Sequence, residues 1–283
     1  MPSGGGTHVA HCNDISSYFK CWCKASTHVA HWKGSRKVAF TLAEVLITLG
    51  IIGVVAALTL PTLIQKYQKQ QTVTQLKATY TILAQAFEHA QADYGDVSTW
   101  GIDAIHGQDA NDNKNREEVG KNVAETYLLP YIKPLKNYAL TSLQNIGYSG
   151  VFNLDGTIDN YSYSFKRYTM VLTNGAIVAI GVNSGCAAYK YDENGNKYCS
   201  TSILSDIYII TDINGLKKPN TMGKDVFVMQ LNSNKFDFYK YSGGADTRAW
   251  IVRNACTKGS NENRLCGRLI QLDGWKIEKD YPW

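Results

Sequence analysis

Histidine is scarce in this chain of 283 residues, and most of it lies in one place. Four of the six histidines precede residue 40, which leaves only His89 and His106 in the remainder of the chain. The sequence also lacks a Ser-His-Asp arrangement, a metal-ligand triplet and a glycine-rich phosphate loop. These absences remove the residues that common catalytic sites need, so we expect that the protein is not an enzyme.

A strong basic field is missing from most of the chain. Residues 1–39 hold five basic residues and one acidic residue, so the net charge of +5 leaves only about +1 for residues 40–283. Binding nucleic acid through its phosphates needs a basic surface. The 18 tyrosines are more simply explained by packing in β-sheets than by stacking on bases. The composition therefore gives no support for a nucleic-acid partner, although it leaves one open.

One long hydrophobic run, FTLAEVLITLGIIGVVAALTLP, occupies Phe40 to Pro61. As a helix the run would span about 33 Å, which is enough to cross the hydrocarbon core of a bilayer. The basic cluster KGSRK lies just before it and predicts that the N-terminus faces the cytoplasm. The length of the run and the lack of an Ala-x-Ala site argue against a cleaved secretory signal peptide.

A single carboxylate, Glu44, interrupts this run. An acidic residue inside a membrane helix costs about 2.5–3.5 kcal/mol on insertion scales, so it is expected to have a partner. A cut between Ala39 and Phe40 would create an α-amino group four residues from Glu44, on the same face of a helix. The carboxylate could then neutralise that amine or the amine of a neighbouring chain. An unpaired Glu44 would be costly, so it would favour one stagger between chains.

The hydrophobic run resembles the N-terminal processing and assembly segment of type IV pilins and type II secretion pseudopilins. In that family a prepilin peptidase cuts before a phenylalanine, methylates its amine and leaves glutamate as the fifth residue of the mature chain. Phe40, Thr41, Leu42 and Glu44 match this pattern. Pro61 lies where the family commonly has a proline that kinks the helix. A proline is expected to bend a helix because it cannot donate the backbone hydrogen bond of its position.

The resemblance covers residues 40–94 and implies a function. It implies a structural subunit, a minor pilin or a pseudopilin, of a type IV pilus-like or type II secretion filament. The precursor would cross the bacterial inner membrane once. After cleavage between Ala39 and Phe40, residues 40–94 would join other subunits in a periplasmic or cell-surface filament. The implied partners are therefore the prepilin peptidase, the inner membrane and other pilin or pseudopilin subunits.

A second hypothesis is a membrane-anchored binding or adhesin module that does not polymerise. Such a protein would share the hydrophobic anchor, but it would need neither the cut after Ala39 nor Glu44.

The remaining sequence predicts an α+β fold with a long N-terminal helix and a β-rich head. Residues 62–94 have apolar side chains three and four positions apart, the pattern of an amphipathic helix that stops at Gly95. These side chains are Val73, Leu76, Tyr80, Leu83, Phe87, Ala90 and Tyr94. The expected domains are a cleaved cytoplasmic leader at 1–39, a pilin-type helix at 40–94 that spans the membrane at 40–61, and a globular head at 95–283.

Within the head, five segments have the aromatic and β-branched composition of strands. They are YSYSFKRYTMVLT, AIVAIGV, DIYIITDI, DVFVMQL and KFDFYKY. Asn-Gly pairs at 174–175, 194–195 and 214–215 predict turns. Short helices are expected near 119–129 and 263–271.

The seven cysteines divide at the hydrophobic run, with three before it and four after it. An even set of four suits disulfides in an exported head. Four cysteines permit three pairings, and we expect the two local ones, Cys186 with Cys199 and Cys256 with Cys266.

The segment TDINGLKKPNTMGKD, residues 211–225, offers oxygen ligands from Asp212, Asn214, Asn220 and Asp225. Calcium binds carboxylate and amide oxygens, but this spacing is not that of an EF-hand loop. Asp, Asn and Gly also commonly form simple turns. The segment therefore predicts either a calcium site or a turn without a metal, and no other cofactor is expected.

Overall fold

The structure is a computed structural model that describes most of the chain after residue 40. It covers residues 41–102, 113–191, 193, 197–232, 235–240 and 247–283, with the side chains of 113–115, 183–191, 197–206 and 232 left out. The expected leader at 1–39 and Phe40 lie outside the described residues. By compactness the chain divides into two units, Met1–Thr59 and Leu60–Trp283.

A helix of 53 residues, α1, runs from Leu42 to Tyr94. Pro61 lies inside it; the bend expected at Pro61 stays a prediction. The helix ends where the sequence predicts, because Gly95 follows with a φ of 77° and donates its N–H to the carbonyl oxygen of Gln91 at 2.9 Å. Glycine adopts this left-handed conformation without the strain that a Cβ would bring.

The second unit contains a six-stranded antiparallel sheet in the sequential order β1-β2-β3-β4-β5-β6. The strands are β1 Lys136–Thr141, β2 Arg167–Val171, β3 Ile177–Tyr191, β4 Lys197–Asp212, β5 Val226–Asn232 and β6 Lys235–Phe238. The edge strand β1 has a bulge between Asn137 and Ala139, and such irregularities protect a sheet edge from pairing with another chain. The long helix and this sheet confirm the α+β class.

Each face of the sheet has its own hydrophobic core, because successive strand residues point to opposite sides. On one face, Val178 and Ile180 of β3 join a large cluster that includes Leu83 of α1. On the other face, Ile177 and Ala179 pack in a smaller cluster with Tyr148, Val151 and Met222. The second half of α1 therefore covers one face, and irregular segments cover the other.

Short helical segments complete the second unit. They are Val97–Thr99, α2 Asn113–Asn122 with its continuation Val123–Leu128, Gln144–Ile146, α3 Asn160–Ser164, α4 Arg248–Trp250 with its continuation Ile251–Ala255, Asn263–Leu265 and α5 Cys266–Leu272. Helices are thus present near both expected positions, although the first begins six residues earlier than the sequence indicates.

The prediction of one strand across residues 161–173 is wrong in its first part. Asp159 accepts hydrogen bonds from the N–H groups of Tyr161 at 3.1 Å and Ser162 at 3.4 Å, so it caps α3. Strand β2 begins only at Arg167. The tyrosine-rich composition favours a strand here, but the aspartate that precedes it starts a helix instead.

Candidate functional site

The start of α1 is closed by a reciprocal pair of hydrogen bonds between Thr41 and Glu44. The Thr41 N–H and hydroxyl donate to Glu44 Oε2 at 2.8 and 2.9 Å. The Glu44 N–H donates to the Thr41 hydroxyl oxygen at 3.2 Å. This is a capping box, in which the first and fourth residues satisfy helix-end N–H groups that have no partner within the helix. The sequence Thr-Leu-Ala-Glu carries the signature of this motif, which was not among the sequence-based predictions.

The hydrophobic side chains that follow are not covered by the described part of the chain. Every Leu, Ile and Val from Leu42 to Ile64 is exposed, with relative exposures between 42% and 78%. Fully burying one such side chain stabilises a structure by about 1.5–3 kcal/mol. An exposed row of this length therefore needs a further apolar environment, either lipid or other protein chains.

Two threonine hydroxyls inside this segment are satisfied within the helix. The hydroxyls of Thr48 and Thr59 donate to the carbonyl oxygens of Val45 at 3.0 Å and Val55 at 2.9 Å. A helix in lipid must satisfy its polar groups internally, because the hydrocarbon offers no partners. By length and composition, α1 can cross a membrane, which is compatible with a single-pass membrane protein.

A second candidate site lies in the head, where the structure brings together the four predicted oxygen-bearing residues. Asp212 is the last residue of β4, and Asp225 directly precedes β5. The loop between these strands carries Asn214 and Asn220. Asn214 bridges the two carboxylates, since its N–H donates to Asp212 Oδ1 and its Nδ2 donates to Asp225 Oδ2, both at 3.1 Å.

Asp225 organises the loop that precedes it. Its Oδ2 accepts the N–H of Asn220 at 2.8 Å, and its Oδ1 accepts the N–H of Thr221 at 2.5 Å. Asn220 has a φ of 52°, a left-handed conformation that asparagine tolerates better than most residues. The predicted turn is therefore present, and Asp225 holds it from within.

Tyr148, which comes from a distant part of the chain, completes the cluster. Its hydroxyl donates to Asp212 Oδ2 at 2.9 Å and lies 3.5 Å from the carbonyl oxygen of Gly215. Tyr148 is 64 positions from Asp212, and no local sequence pattern links the two residues. Burial, followed by the charge of Asp212, raises the pKa of the Tyr148 hydroxyl, so it remains a proton donor.

The two carboxyl groups are buried close to each other. Burial, and then repulsion from Asp225, raises the pKa of Asp212 well above its usual value. Burial also raises the pKa of Asp225, against the opposing effect of the hydrogen bonds from Thr221 and Asn220. Among the described residues, neither carboxylate forms an ion pair with a lysine or arginine. Both shifts favour the protonated form of these carboxyl groups.

Two amide oxygens in this cluster have no hydrogen-bond partner within the described part of the chain. They are Oδ1 of Asn214 and Oδ1 of Asn220, and both atoms are buried. Asn220 as a whole is only 3% exposed. Buried polar atoms in proteins usually have a hydrogen-bond partner, which can be an ordered water.

A polar groove of about 790 Å³ opens beside the cluster, and Asn214 and Asp225 are part of its wall. Lys217, Lys218 and Lys224 also line the groove, together with Gln68, Gln71, Thr72 and Gln75 of α1, Asn174, Gly175, Ile213, Pro219 and Trp283. The groove gives small solutes a route from solvent to the cluster.

The donor set decides which metals the cluster could hold. No three His, Cys, Asp or Glu side chains among the described residues are grouped to bind a metal, and this cluster supplies neither sulfur nor imidazole. Carboxylate and amide oxygens suit hard cations such as calcium and magnesium rather than zinc or copper.

The head also contains a disulfide between Cys256 and Cys266, which is one of the two local pairs that the sequence predicts. Both cysteines are buried, and Cys266 begins α5. The disulfide fits an exported head. The other expected pair, Cys186 and Cys199, involves side chains outside the described part, and His106 lies outside it as well.

The fold and these sites define an α+β protein with an apolar, membrane-compatible N-terminal helix and a disulfide-bonded head. A model of a family described as a family of unknown function (DUF6613) matches residues 62–283, and the chain belongs to this family. The match begins directly after Pro61 and thus covers the amphipathic half of α1 and the head. Neither a curated protein nor a solved structure matched the chain.

Proposed function

We propose that the protein is a structural subunit, a minor pilin or pseudopilin, of a type IV pilus-like or type II secretion filament. The observation that carries this proposal is the exposed apolar start of α1 with a single glutamate at its N-terminal end. A segment with this composition is stable in lipid and also in a bundle of identical helices. A subunit that moves from membrane to filament needs both environments.

In this proposal the chain is inserted with its N-terminus in the cytoplasm and is cut between Ala39 and Phe40. The new amine would then directly precede Thr41, whose backbone and hydroxyl hold the carboxylate of Glu44. The capping box thus keeps the carboxylate at the helix start, where an amine from the same chain or from a neighbour can reach it. Pairing of opposite charges away from water depends strongly on geometry, so it would select one stagger between subunits.

The capping box also offers Glu44 a role that needs no neighbouring subunit. A glutamine in place of Glu44 would still accept the hydrogen bonds of Thr41, because capping boxes use Glu or Gln at this position. It would lose the negative charge that pairs with an amine. Glu44→Gln therefore separates helix capping from charge pairing, whereas Glu44→Ala and Glu44→Val remove both.

The test is assembly in a host that has a prepilin peptidase. All three variants are expected to insert into the membrane, because each removes a charge from the apolar segment. All three are also expected to fail to form filaments. Normal filament yield from Glu44→Gln would show that capping alone is needed, and normal yield from Glu44→Val would refute an assembly role for this residue.

The membrane-anchored binding module is the second candidate, and the polar groove in the head favours it. It predicts that none of the three Glu44 variants changes function and that the protein stays in the membrane as single subunits. Crosslinking in intact cells distinguishes the two candidates, because only a filament subunit, periplasmic or on the surface, gives ladders of crosslinked copies.

A further inference from the structure

We propose that the head binds a small monovalent anion, of the size of chloride, in a cavity beside β2, β3 and β4. The groups that bind it are the guanidinium of Arg167 and the hydroxyl of Tyr208, which both line this cavity. Both residues belong to the second unit, so the site does not depend on the proposed filament function.

The sheet brings the two binding groups together. Tyr168 pairs with Ile180, and Gly181 pairs with Tyr208. Arg167 of β2, Gly181 of β3 and Tyr208 of β4 are therefore neighbours on one face of the sheet. A Cβ at position 181 would lie 3.2 Å from Arg167 Cγ, so glycine leaves room for the arginine side chain. The guanidinium carbon of Arg167 lies 5.8 Å from the centre of the Tyr208 ring.

The first argument is the charge of Arg167. This residue is only 5% exposed, and a buried charge is costly unless an opposite charge compensates it. None of the ion pairs between described residues includes Arg167. Its guanidinium donates to the carbonyl oxygens of Phe165 at 3.3 Å and Tyr161 at 3.0 Å, and it lies 4.7 Å from the centre of the Tyr161 ring. Carbonyl oxygens and ring faces attract a cation, but they carry no net negative charge.

The second argument is the hydroxyl of Tyr208. Tyr208 is 2% exposed, and its hydroxyl is buried without a hydrogen-bond partner in the described part of the chain. Burial raises the pKa of this hydroxyl, so it keeps its proton and remains a donor. Buried donors usually have an acceptor. An anion beside Arg167 supplies both an acceptor and a compensating charge, whereas a water supplies only the acceptor.

The third argument is the size and the charge of the cavity. Its volume is about 30 Å³, and a single water needs about 10–15 Å³, so the space suits a small ion rather than an organic ligand. Arg116 and Lys166 add positive charge to its lining, and Glu117 adds one negative charge. Glu117 lies 4.0 Å from the ammonium group of Lys166. With Arg167, the cationic side chains of the lining outnumber this carboxylate, which favours an anion.

The experiment uses the full-length protein in detergent, transferred into a gluconate buffer without chloride. Chloride then replaces gluconate at a constant ionic strength of about 0.15 M, so that screening does not change. The melting temperature of the head should rise as chloride is added, because an ion that binds only the folded state stabilises it. The NMR signal of chloride should broaden in the presence of the protein, which reports binding directly.

Two variants locate the site. Tyr208→Phe should weaken chloride binding by at least about tenfold, the usual effect of losing one hydrogen bond to a charged group. In gluconate it should not lower the melting temperature, because a buried hydroxyl without a partner contributes no stability. Arg167→Gln removes the charge and should abolish the response to chloride.

Tyr281→Phe is the matched control. The Tyr281 hydroxyl is also buried, but it donates to the carbonyl oxygen of Gly223. Its loss should lower the melting temperature in gluconate and in chloride alike, and it should leave the response to chloride as large as in the wild-type protein.

The results decide the proposal in either direction. A response to chloride that Tyr208→Phe weakens and Tyr281→Phe preserves supports the site. An equal response in the wild-type protein and in Tyr208→Phe, in either measurement, overturns it. A wild-type protein that responds in neither measurement also overturns it and shows that the cavity holds water only. A folded Arg167→Gln variant with wild-type affinity has the same consequence for the proposal, and if this variant does not fold, Tyr208→Phe alone decides.

Discussion

The two halves of α1 contain similar aliphatic side chains in opposite surroundings. In the first half Leu46 and Leu49 are 61% and 60% exposed, whereas in the second half Leu76 and Leu83 are completely buried. The difference lies in the pattern of the neighbouring residues. The first half is apolar on every side, and the second has one apolar stripe that a sheet can cover. The second half belongs to the folded head, and the first half requires an environment that the described chain does not provide.

The largest predicted effect is on the stability of the head, and it is tested by replacing one leucine with alanine in each half of α1. Leu83→Ala should destabilise the head by about 2–5 kcal/mol, because it leaves a cavity in the core. Leu49→Ala should leave the unfolding of the head unchanged, since no core packs around Leu49 in the described part of the chain. Chemical unfolding in detergent, followed by tryptophan fluorescence, measures both variants. A loss of similar size in both would contradict the division of α1 into two roles.

The disulfide between Cys256 and Cys266 lies in the head, so its removal should affect the head and not the membrane segment. Replacing Cys256 and Cys266 by serine should lower the stability of the head by about 2–4 kcal/mol, because a crosslink restricts the unfolded chain. It should not change how the protein partitions into membranes. Denaturant titration and membrane fractionation of the double variant check the two statements. If the double variant left the stability of the head unchanged but reduced the amount of protein in the membrane, the separate roles of the two halves of α1 would be contradicted.

Two helical glycines give a smaller and more local contrast. A Cβ at Gly267 would lie 2.5 Å from a ring atom of Phe238, whereas nothing lies within 4 Å of one at Gly53. Gly267→Ala should therefore cost the head about 1–3 kcal/mol through overpacking. Gly53→Ala should not change the melting temperature of the head. Differential scanning calorimetry of both variants provides the comparison, and an unaffected Gly267→Ala would show that the packing around α5 is looser than described.

The smallest predicted effect concerns the cap of α1. Thr41→Ala removes the hydroxyl that accepts the Glu44 N–H and should weaken the start of the helix by about 1 kcal/mol. Thr41→Ser keeps a hydroxyl and serves as the control. Amide hydrogen exchange of the first turn in detergent should be several-fold faster in Thr41→Ala only. Equal exchange rates in the two variants would mean that the capping box does not form.

Much of the fold could be predicted from sequence, because the relevant signals are local. The apolar stripe of α1, its stop at Gly95 and the β-branched segments of β3, β4 and β5 each act over a few residues. The first part of residues 161–173 could not be assigned from composition, since tyrosine favours strands and one capping aspartate outweighs that preference. The capping box at Thr41 is predictable from the sequence, because Thr41 and Glu44 have the spacing of the capping-box motif.

The head site was predictable only in part. Its four oxygen-bearing residues fall within one loop, so the sequence identifies them as candidates. Their burial, the contact of Tyr148 with Asp212 and the adjacent groove depend on tertiary packing between distant segments. Local sequence patterns do not contain these long-range features.

The most direct test of the filament proposal is the intact mass and the N-terminal peptide of the protein, isolated from membranes of a host with its prepilin peptidase. The proposal predicts a mature chain that begins at N-methylated Phe40, with Glu44 as its fifth residue. A chain that retains residues 1–39 in such a host would contradict it, and the non-polymerising anchored module would then be the better account of the exposed helix.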